Sequence, residues 1–232
     1  MPSLPPAIKL AVHRRGDGPP LVALHDLGQT GESMIDALSA VADEYGIIAP
    51  DLRGHGGSPT PHGPWSIDDF ASDVARLTAA EGGGAVIVGV GLGAATALAL
   101  ALGHPGLVSG LVISGVSPRG EDLEGQDRWT RAARALRERR GAEGVALAAE
   151  AMGTRPDWRG ALAQVDCPVV ILAGSADRAT PLQLQKELSV WIRGSRFLTV
   201  AGAGHDIAAE RPQEIVSAVT RLSGRDRVSL AA

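Results

Sequence analysis

Short apolar segments recur along the chain and do not alternate with polar residues. Uninterrupted apolar segments of this length are typical of parallel strands that helices cover on both faces. The predicted strands span residues 21–24, 47–49, 85–90, 107–114, 169–172 and 197–200. Between them, apolar residues at helical spacing predict helices over residues 30–43, 67–81, 92–103, 181–193 and 212–223.

Strands that alternate with helices predict right-handed crossovers and one doubly wound, mostly parallel α/β sheet. Residues 118–165 interrupt this alternation, because they contain no convincing strand and instead predict helices. We therefore predict a core domain formed by residues 1–117 and 166–232, with residues 118–165 inserted as a small helical lid. The helices of the lid are predicted over residues 126–140 and 142–152, with a short one near Trp158.

The longest stretch without a charged residue, 82–118, is long enough to span a bilayer. It is interrupted by several glycines and by the pair His104-Pro105, so a buried strand, an Ala/Leu-rich helix and a second buried strand explain it better. The N-terminal residues lack a basic segment followed by an apolar one, and no signal peptide is predicted. We expect a cytoplasmic protein that does not act at a membrane.

Composition and charge exclude several further classes. The chain has 232 residues, of which 44% are hydrophobic and 21% charged, as in a soluble globular domain. Its net charge of −4 gives no basic excess, so nucleic acid is not an expected partner. The single cysteine, Cys167, cannot form an internal disulfide or a cysteine-based metal site. We expect a small-molecule partner, no metal and no cofactor, while the oligomeric state is not predicted.

The predicted lid is locally basic, with Arg128, Arg131, Arg134 and Arg137 along one helix. One interpretation is a solvated helix face. The other is that these arginines attract an anionic substrate to a cleft below the lid. Both interpretations stay open at this point.

Glycine-rich motifs follow the predicted strands in a fixed order, at the sheet edge where ligands of open α/β folds bind. They are L-H-D-L-G at 24–28, D-L-R-G-H-G-G-S at 51–58, G-V-G-L-G at 89–93, G-S-A-D at 174–177 and G-A-G-H-D at 202–206. In this order they resemble the α/β-hydrolase superfamily over residues 8–223. The resemblance implies an α/β-hydrolase fold and an activity similar to that of esterase-like and lactonase-like members.

In that superfamily the strand-to-helix turn reads G-x-S-x-G and carries the serine nucleophile. Here Gly91 stands at the nucleophile position, so no side chain there can form an acyl-enzyme. The other parts match the superfamily. By resemblance, Asp177 corresponds to the triad acid and His205 to the triad histidine. The backbone N–H groups of Leu27 and Leu92 correspond to the donors of the oxyanion hole.

A second departure lies in the oxyanion loop, where many relatives have glycine after the histidine and this chain has Asp26. Together with G-V-G-L-G, this resembles the Ndr-type members of the superfamily, which keep the fold without the serine triad. The matching Asp177 and His205 are closer to active members. The candidate pocket residues are His25, Asp26, Ser114 and Trp129.

Three functions are compatible with these residues. In the first, His205 oriented by Asp177 is a general base on a small carbonyl-containing substrate, in hydrolysis, elimination, decarboxylation or cyclisation without an acyl-enzyme. In the second, the chain is a non-catalytic module that binds a ligand or partner. In the third, Gly91 replaces a serine in an ordinary hydrolase, so that substrate is trapped. The intact Asp177 and His205 favour the first.

Overall fold

A seven-stranded sheet forms the centre of the computed structural model, which describes residues 8–222. The strands are β1 (Val12–Arg15), β2 (Pro20–Leu24), β3 (Gly46–Pro50), β4 (Ala85–Val90), β5 (Val108–Ser114), β6 (Val169–Gly174) and β7 (Arg196–Val200). Their order is β1-β3-β2-β4-β5-β6-β7, and every pair is parallel except β1 with β3. The predicted fold class and all the predicted strands are confirmed. The predicted ends of the core domain, 1–7 and 223–232, lie outside the described residues.

Strand β1 was not predicted, because its sequence V-H-R-R has a single apolar residue. It lies at the edge of the sheet and pairs with β3 through its backbone, so it needs no apolar face on both sides.

Helices cover both faces of the sheet. They are α1 (Gly31–Leu38), α2 (Ile67–Ala80), α3 (Leu92–Gly103), α4 (Leu123–Arg137), α5 (Glu143–Gly153), α6 (Leu182–Lys186), α7 (Leu188–Trp191), α8 (Ile207–Glu210) and α9 (Pro212–Leu222). The segment predicted as one helix over 181–193 is two short helices, and α8 was not predicted. Each of the other predicted core helices is present within a few residues of its expected bounds.

Two hydrophobic clusters hold the layers together. On one face α1 and α9 bury Met34, Leu38 and Val219 against the sheet, and on the other α2 and α3 bury Phe70 and Leu98. Burying each large apolar side chain of this kind stabilises the fold by roughly 1.5–3 kcal/mol.

The charge-free stretch 82–118 contains β4, α3 and β5, which is the predicted strand, helix and strand. Helix α3 is apolar all round and is buried along nearly its whole length. Among residues 8–222, none of the helices combines the length and the hydropathy that a membrane crossing requires.

The inserted segment 118–165 contains no strand, as predicted. Its helices α4 and α5 pack against each other through Ala133, Ala146 and Ala149. The carboxylate of Asp122 caps the start of α4 by accepting a hydrogen bond of 2.8 Å from Gly125 N. Side chains of both helices contribute to a cavity above the carboxyl ends of the strands. That the segment acts as a lid stays a prediction.

Candidate functional site

The turn between β4 and α3 places Gly91 at the carboxyl edge of the sheet. Its backbone has φ +53° and ψ −112°, a conformation that favours glycine over any residue with a side chain. Two residues later, a Cβ atom on Gly93 would overlap the carbonyl group of Leu24, so glycine there lets α3 pack closely on β2. The sharp turn expected from G-V-G-L-G is therefore present without a nucleophilic side chain.

The carboxylate of Asp26 occupies the space where a side chain on residue 91 would lie. A Cβ atom added to Gly91 would overlap this carboxylate. Its Oδ1 atom accepts hydrogen bonds of 2.7 Å from Leu27 N and 2.9 Å from Leu92 N. The two N–H groups expected to bind a substrate oxygen thus converge on one negatively charged oxygen, and that oxygen belongs to the protein itself.

His205 and Asp177 contact each other as expected from the order of the motifs. The Nδ1 atom of His205 lies 2.9 Å from Oδ2 of Asp177, whose side chain is only 1% exposed. The other carboxylate oxygen accepts hydrogen bonds from the backbone N–H groups of Ala179 and Thr180. Burial alone would raise the pKa of Asp177, but His205 and these hydrogen bonds outweigh it and lower the pKa.

His205 lies between two carboxylates. Its Nε2 atom is 3.3 Å from Oδ2 of Asp26, on the side opposite Asp177. Burial lowers the pKa of His205, but hydrogen bonds and charge attraction from Asp177 and Asp26 outweigh burial and raise it to about 10. The imidazole is therefore protonated at neutral pH. It can accept a proton only after one of the two carboxylates moves away or loses its charge.

A cavity of about 650 Å³ opens above this group. Asp26, Gly91 and His205 form part of its wall, and Trp129 of α4 lines it, as predicted for a pocket residue. The remaining wall is mostly apolar or backbone, from residues that include Leu27, Leu92, Val116, Met152, Pro181 and Leu184. A cavity of this size suits a small-molecule ligand.

Two predicted pocket residues, His25 and Ser114, do not line this cavity. His25 is fully buried behind the loop: its Nδ1–H donates to the carbonyl oxygen of Asp26 at 2.7 Å, and its Nε2 accepts from Leu52 N at 2.9 Å. Burial, followed by the nearby His55, lowers the pKa of His25 to about 4. Ser114 ends β5 with its hydroxyl buried and unpaired among the described residues. Neither side chain therefore lies in the wall of this cavity, because residues at strand ends near a site can face the core.

Sequence reasoning missed Gln185, which is fully buried beside Asp177. Its Nε2 donates to Oδ2 of Asp177 at 2.9 Å and to the carbonyl oxygen of Thr180 at 2.7 Å, while its Oε1 accepts from Gly115 N at 2.9 Å. The residue lies in the short helix α6, outside every motif, and no sequence signal marked it.

Of the four arginines in the basic pattern of the lid, Arg128 lines the cavity and the other three do not. Arg131 forms an ion pair with Asp127 one helical turn away, and neither it nor Arg134 lines the cavity. The cavity is lined by Arg128, Arg155 and Arg178. For Arg131 and Arg134 the interpretation as a solvated helix face is the better one.

No group of three or more His, Cys, Asp or Glu residues within 8–222 is arranged to hold a metal ion. The half-buried Cys167 lies outside the cavity, and burial raises the pKa of its thiol to about 11. Among the residues of this site, His205 can transfer a proton, and the backbone N–H groups of Leu27 and Leu92 can bind an oxygen anion.

Comparisons with known proteins agree with this geometry. A model of the alpha/beta hydrolase family matches residues 21–218. The chain is 35% identical to 3-oxoadipate enol-lactonase 2 of Acinetobacter baylyi over 71 residues, covering 31% of this chain and 27% of the lactonase. It is 32% identical to a fluoroacetate dehalogenase of a Burkholderia species over 120 residues, covering 49% of this chain and 40% of the dehalogenase. These matches span less than half the length of either relative.

Among solved structures, a thermophilic esterase from Thermogutta terrifontis with malate bound is similar along almost its whole length. The TM-score is 0.87 at 25% sequence identity, and the match covers 94% of each chain.

Proposed function

Because the chain belongs to the alpha/beta hydrolase family, we propose that it is a small-molecule hydrolase that needs no cofactor and forms no acyl-enzyme at residue 91. In this proposal His205, oriented by Asp177, transfers the proton, and the N–H groups of Leu27 and Leu92 bind the oxygen that becomes negative. The carrying observation is that these N–H groups bind a negatively charged oxygen at 2.7 and 2.9 Å. A pair of donors at these distances suits a developing oxyanion.

A carbonyl-containing substrate would have to take the place of Asp26 Oδ1 between the two N–H groups. Movement of this carboxylate would also remove one of the two negative charges beside His205. The pKa of the imidazole would then fall, and His205 could act as a general base on water. Binding of the substrate oxygen and activation of the base are therefore linked through Asp26.

Charge in the cavity favours an anionic substrate. Three arginines, Arg128, Arg155 and Arg178, line it, compared with two carboxylates, those of Asp26 and Glu121. The side chain of Arg155 is only 6% exposed, and its Nε–H is buried without a partner among the described residues. Arg178 is exposed and forms none of the salt bridges of the described residues. Arg155 is already paired with Glu121 at 2.6 Å, so the exposed Arg178 is the cation of the cavity wall that is left to bind a carboxylate.

The names of the relatives point to the same substrate class. The lactonase is named for 3-oxoadipate and the dehalogenase for fluoroacetate, and both names denote carboxylates. One name describes opening of a lactone and the other loss of a halogen, so they differ in the carbon atom that reacts. We propose a small carboxylate-bearing substrate for this chain.

Two other functions deserve comparison with this one. One observation favours a non-catalytic binding module. The Asp26 carboxylate already occupies the N–H groups of Leu27 and Leu92, so a substrate oxygen cannot bind there unless Asp26 moves. A trapped form of a serine hydrolase is disfavoured, because a side chain at residue 91 would overlap the Asp26 carboxylate. Since the Asp26 carboxylate fills the space beside Gly91, we infer that glycine is the residue that this site is built around.

Turnover of a panel of small esters, lactones, epoxides and halogenated acids, each with and without a carboxylate, tests the proposal. His205→Gln and Asp177→Asn are expected to lower turnover by roughly 10²–10⁴-fold, the usual contribution of acid–base catalysis. The matched control is His62→Gln, since His62 is exposed and lies outside the cavity. Binding of panel members without any turnover would instead support the binding module.

A further inference from the structure

The two oxygens of the Asp26 carboxylate have different surroundings. Oδ1 is fixed by the N–H groups of Leu27 and Leu92. Oδ2 lies 3.3 Å from Nε2 of His205, and the side chain, 17% exposed, lines the cavity. One oxygen is therefore held by the backbone, while the other lies beside the imidazole on the ligand side.

We propose that Asp26 is the nucleophile of this site and that it acts on substrates in which a saturated carbon carries a leaving group. The inference rests on the proposed function and adds to it the reacting residue and the substrate class. Aspartate carboxylates serve as covalent nucleophiles in enzymes. The room for this one comes from Gly91, because any side chain there would overlap it.

The occupied N–H pair distinguishes a saturated carbon from a carbonyl carbon as the site of attack. Attack on a substrate carbonyl places negative charge on the carbonyl oxygen, which then needs the N–H donors. Here both donors already bind Asp26. Displacement at a saturated carbon forms no tetrahedral oxyanion, so Asp26 can react from the position that it already holds.

In the first step Oδ2 of Asp26 forms a bond to the saturated carbon, and the bond from that carbon to the leaving group breaks with its electron pair. A halide departs as an anion, and His205 then releases its proton to solvent. An epoxide oxygen instead takes the proton from Nε2 of His205, which is placed at 3.3 Å from the attacking oxygen. The product is an alkyl ester of Asp26 whose carbonyl oxygen is Oδ1.

In the second step the ester is hydrolysed. Esterification removes one of the two negative charges beside His205, so the imidazole is no longer held protonated by both carboxylates. Neutral His205 takes a proton from water, and the resulting hydroxide attacks Cγ of Asp26. The N–H groups of Leu27 and Leu92 bind the negative charge that develops on Oδ1.

Collapse of this intermediate breaks the bond between Cγ and Oδ2. The alkoxide takes the proton from His205 and leaves as an alcohol. The carboxylic acid left on Asp26 then passes its proton to His205, which restores the carboxylate, with one oxygen from water, and the protonated imidazole. The sum of the two steps is replacement of the leaving group by hydroxyl, with one water consumed. Asp177 keeps both of its original oxygens throughout.

Isotope labelling of the unmodified protein tests this inference. The protein is incubated with styrene oxide, and separately with 2-chloropropanoate, in water enriched in a heavy oxygen isotope, and its peptides are analysed by mass spectrometry. The expected result is label in the peptide that contains Asp26 and none in the peptide that contains Asp177. Turnover of either probe without label at Asp26 would overturn the inference.

Trapping the ester gives a second, independent readout. In His205→Gln, hydrolysis of the ester is expected to be lost while alkylation continues, so the Asp26 peptide should gain the mass of the probe. The double variant with Asp26→Asn should gain none, and circular dichroism checks that both variants are folded. If neither probe alkylates Asp26 in folded His205→Gln, the inference is wrong.

The two proposals fail in different ways. Turnover of esters or lactones that depends on His205, with no label or adduct at Asp26, would leave the proposed function standing and would refute the nucleophile. Failure of every substrate in the panel would refute the proposed function, and the trapping experiment still reports on Asp26 directly.

Discussion

The charge of Asp26 should control the protonation of His205, and Asp26→Asn tests this directly. The asparagine side chain keeps an oxygen that can accept hydrogen bonds from Leu27 N and Leu92 N, but it carries no charge. At the observed separation of 3.3 Å, Coulomb's law gives about 1.3 kcal/mol in water and about 5 kcal/mol at an effective dielectric constant near 20. Since about 1.36 kcal/mol corresponds to one pH unit, we expect the pKa of His205 to fall by about 1 to 4.

Partial exposure makes a value between these limits the expected one. The side chain of His205 is 27% exposed and that of Asp26 is 17% exposed, so solvent screens the pair incompletely. Asp177 remains in place and continues to favour the protonated imidazole.

The measurement is a titration of the imidazole C–H signals by nuclear magnetic resonance in protein with labelled histidine. The signal of His205 is assigned by its loss in His205→Gln, and Asp43→Asn serves as the control because Asp43 is an exposed carboxylate. A His205 signal that titrates near the ordinary pKa of about 6.5 in the unmodified protein would refute the reasoning. So would the same raised pKa in the unmodified protein and in Asp26→Asn.

Three further predictions concern the same region. Gly91→Ser together with Asp26→Gly should give esterase activity on 4-nitrophenyl acetate. Gly91→Ser alone should give none, because the serine overlaps the Asp26 carboxylate, and activity of this single variant would contradict the overlap. The free energy of unfolding should fall as pH decreases from about 6.5 to 4, because His25 stays neutral in the folded chain and is protonated in the unfolded one. In urea unfolding at a series of pH values, His25→Gln should show a weaker dependence of this free energy on pH. Gln185→Leu should lower the free energy of unfolding by about 1–3 kcal/mol, since it leaves Gly115 N and one Asp177 oxygen short of a partner; an unchanged urea midpoint would refute this role.

The fold could be predicted well because it depends on patterns that persist along the chain. Apolar segments without alternation predicted the parallel strands, and the charge-free stretch 82–118 predicted strand, helix and strand. Strand β1 escaped prediction, because an edge strand can form from polar residues whose backbone pairs with a neighbour.

The candidate site could be predicted only where a motif names a residue. The order of the motifs brought Asp177 and His205 to one place, and the structure has them 2.9 Å apart. The contact between Asp26 and the turn at Gly91 could not be predicted, because it depends on how closely two loops approach across the sheet edge. The buried Gln185 could not be predicted either. Its hydrogen bond to Asp177 depends on how α6 packs beside the strand ends, and no local sequence pattern encodes that packing.

The overlap between the Asp26 carboxylate and any side chain on residue 91 also constrains how this sequence can vary. With its carboxylate placed as it is here, aspartate at position 26 leaves room only for glycine at position 91, whereas a residue at 26 without this carboxylate imposes no such condition on 91. The two positions are therefore epistatic in one direction. In a set of homologous sequences, aspartate at the first position should be accompanied by glycine at the second. A lineage that gained the pair should have lost the side chain at 91 before it acquired the carboxylate at 26.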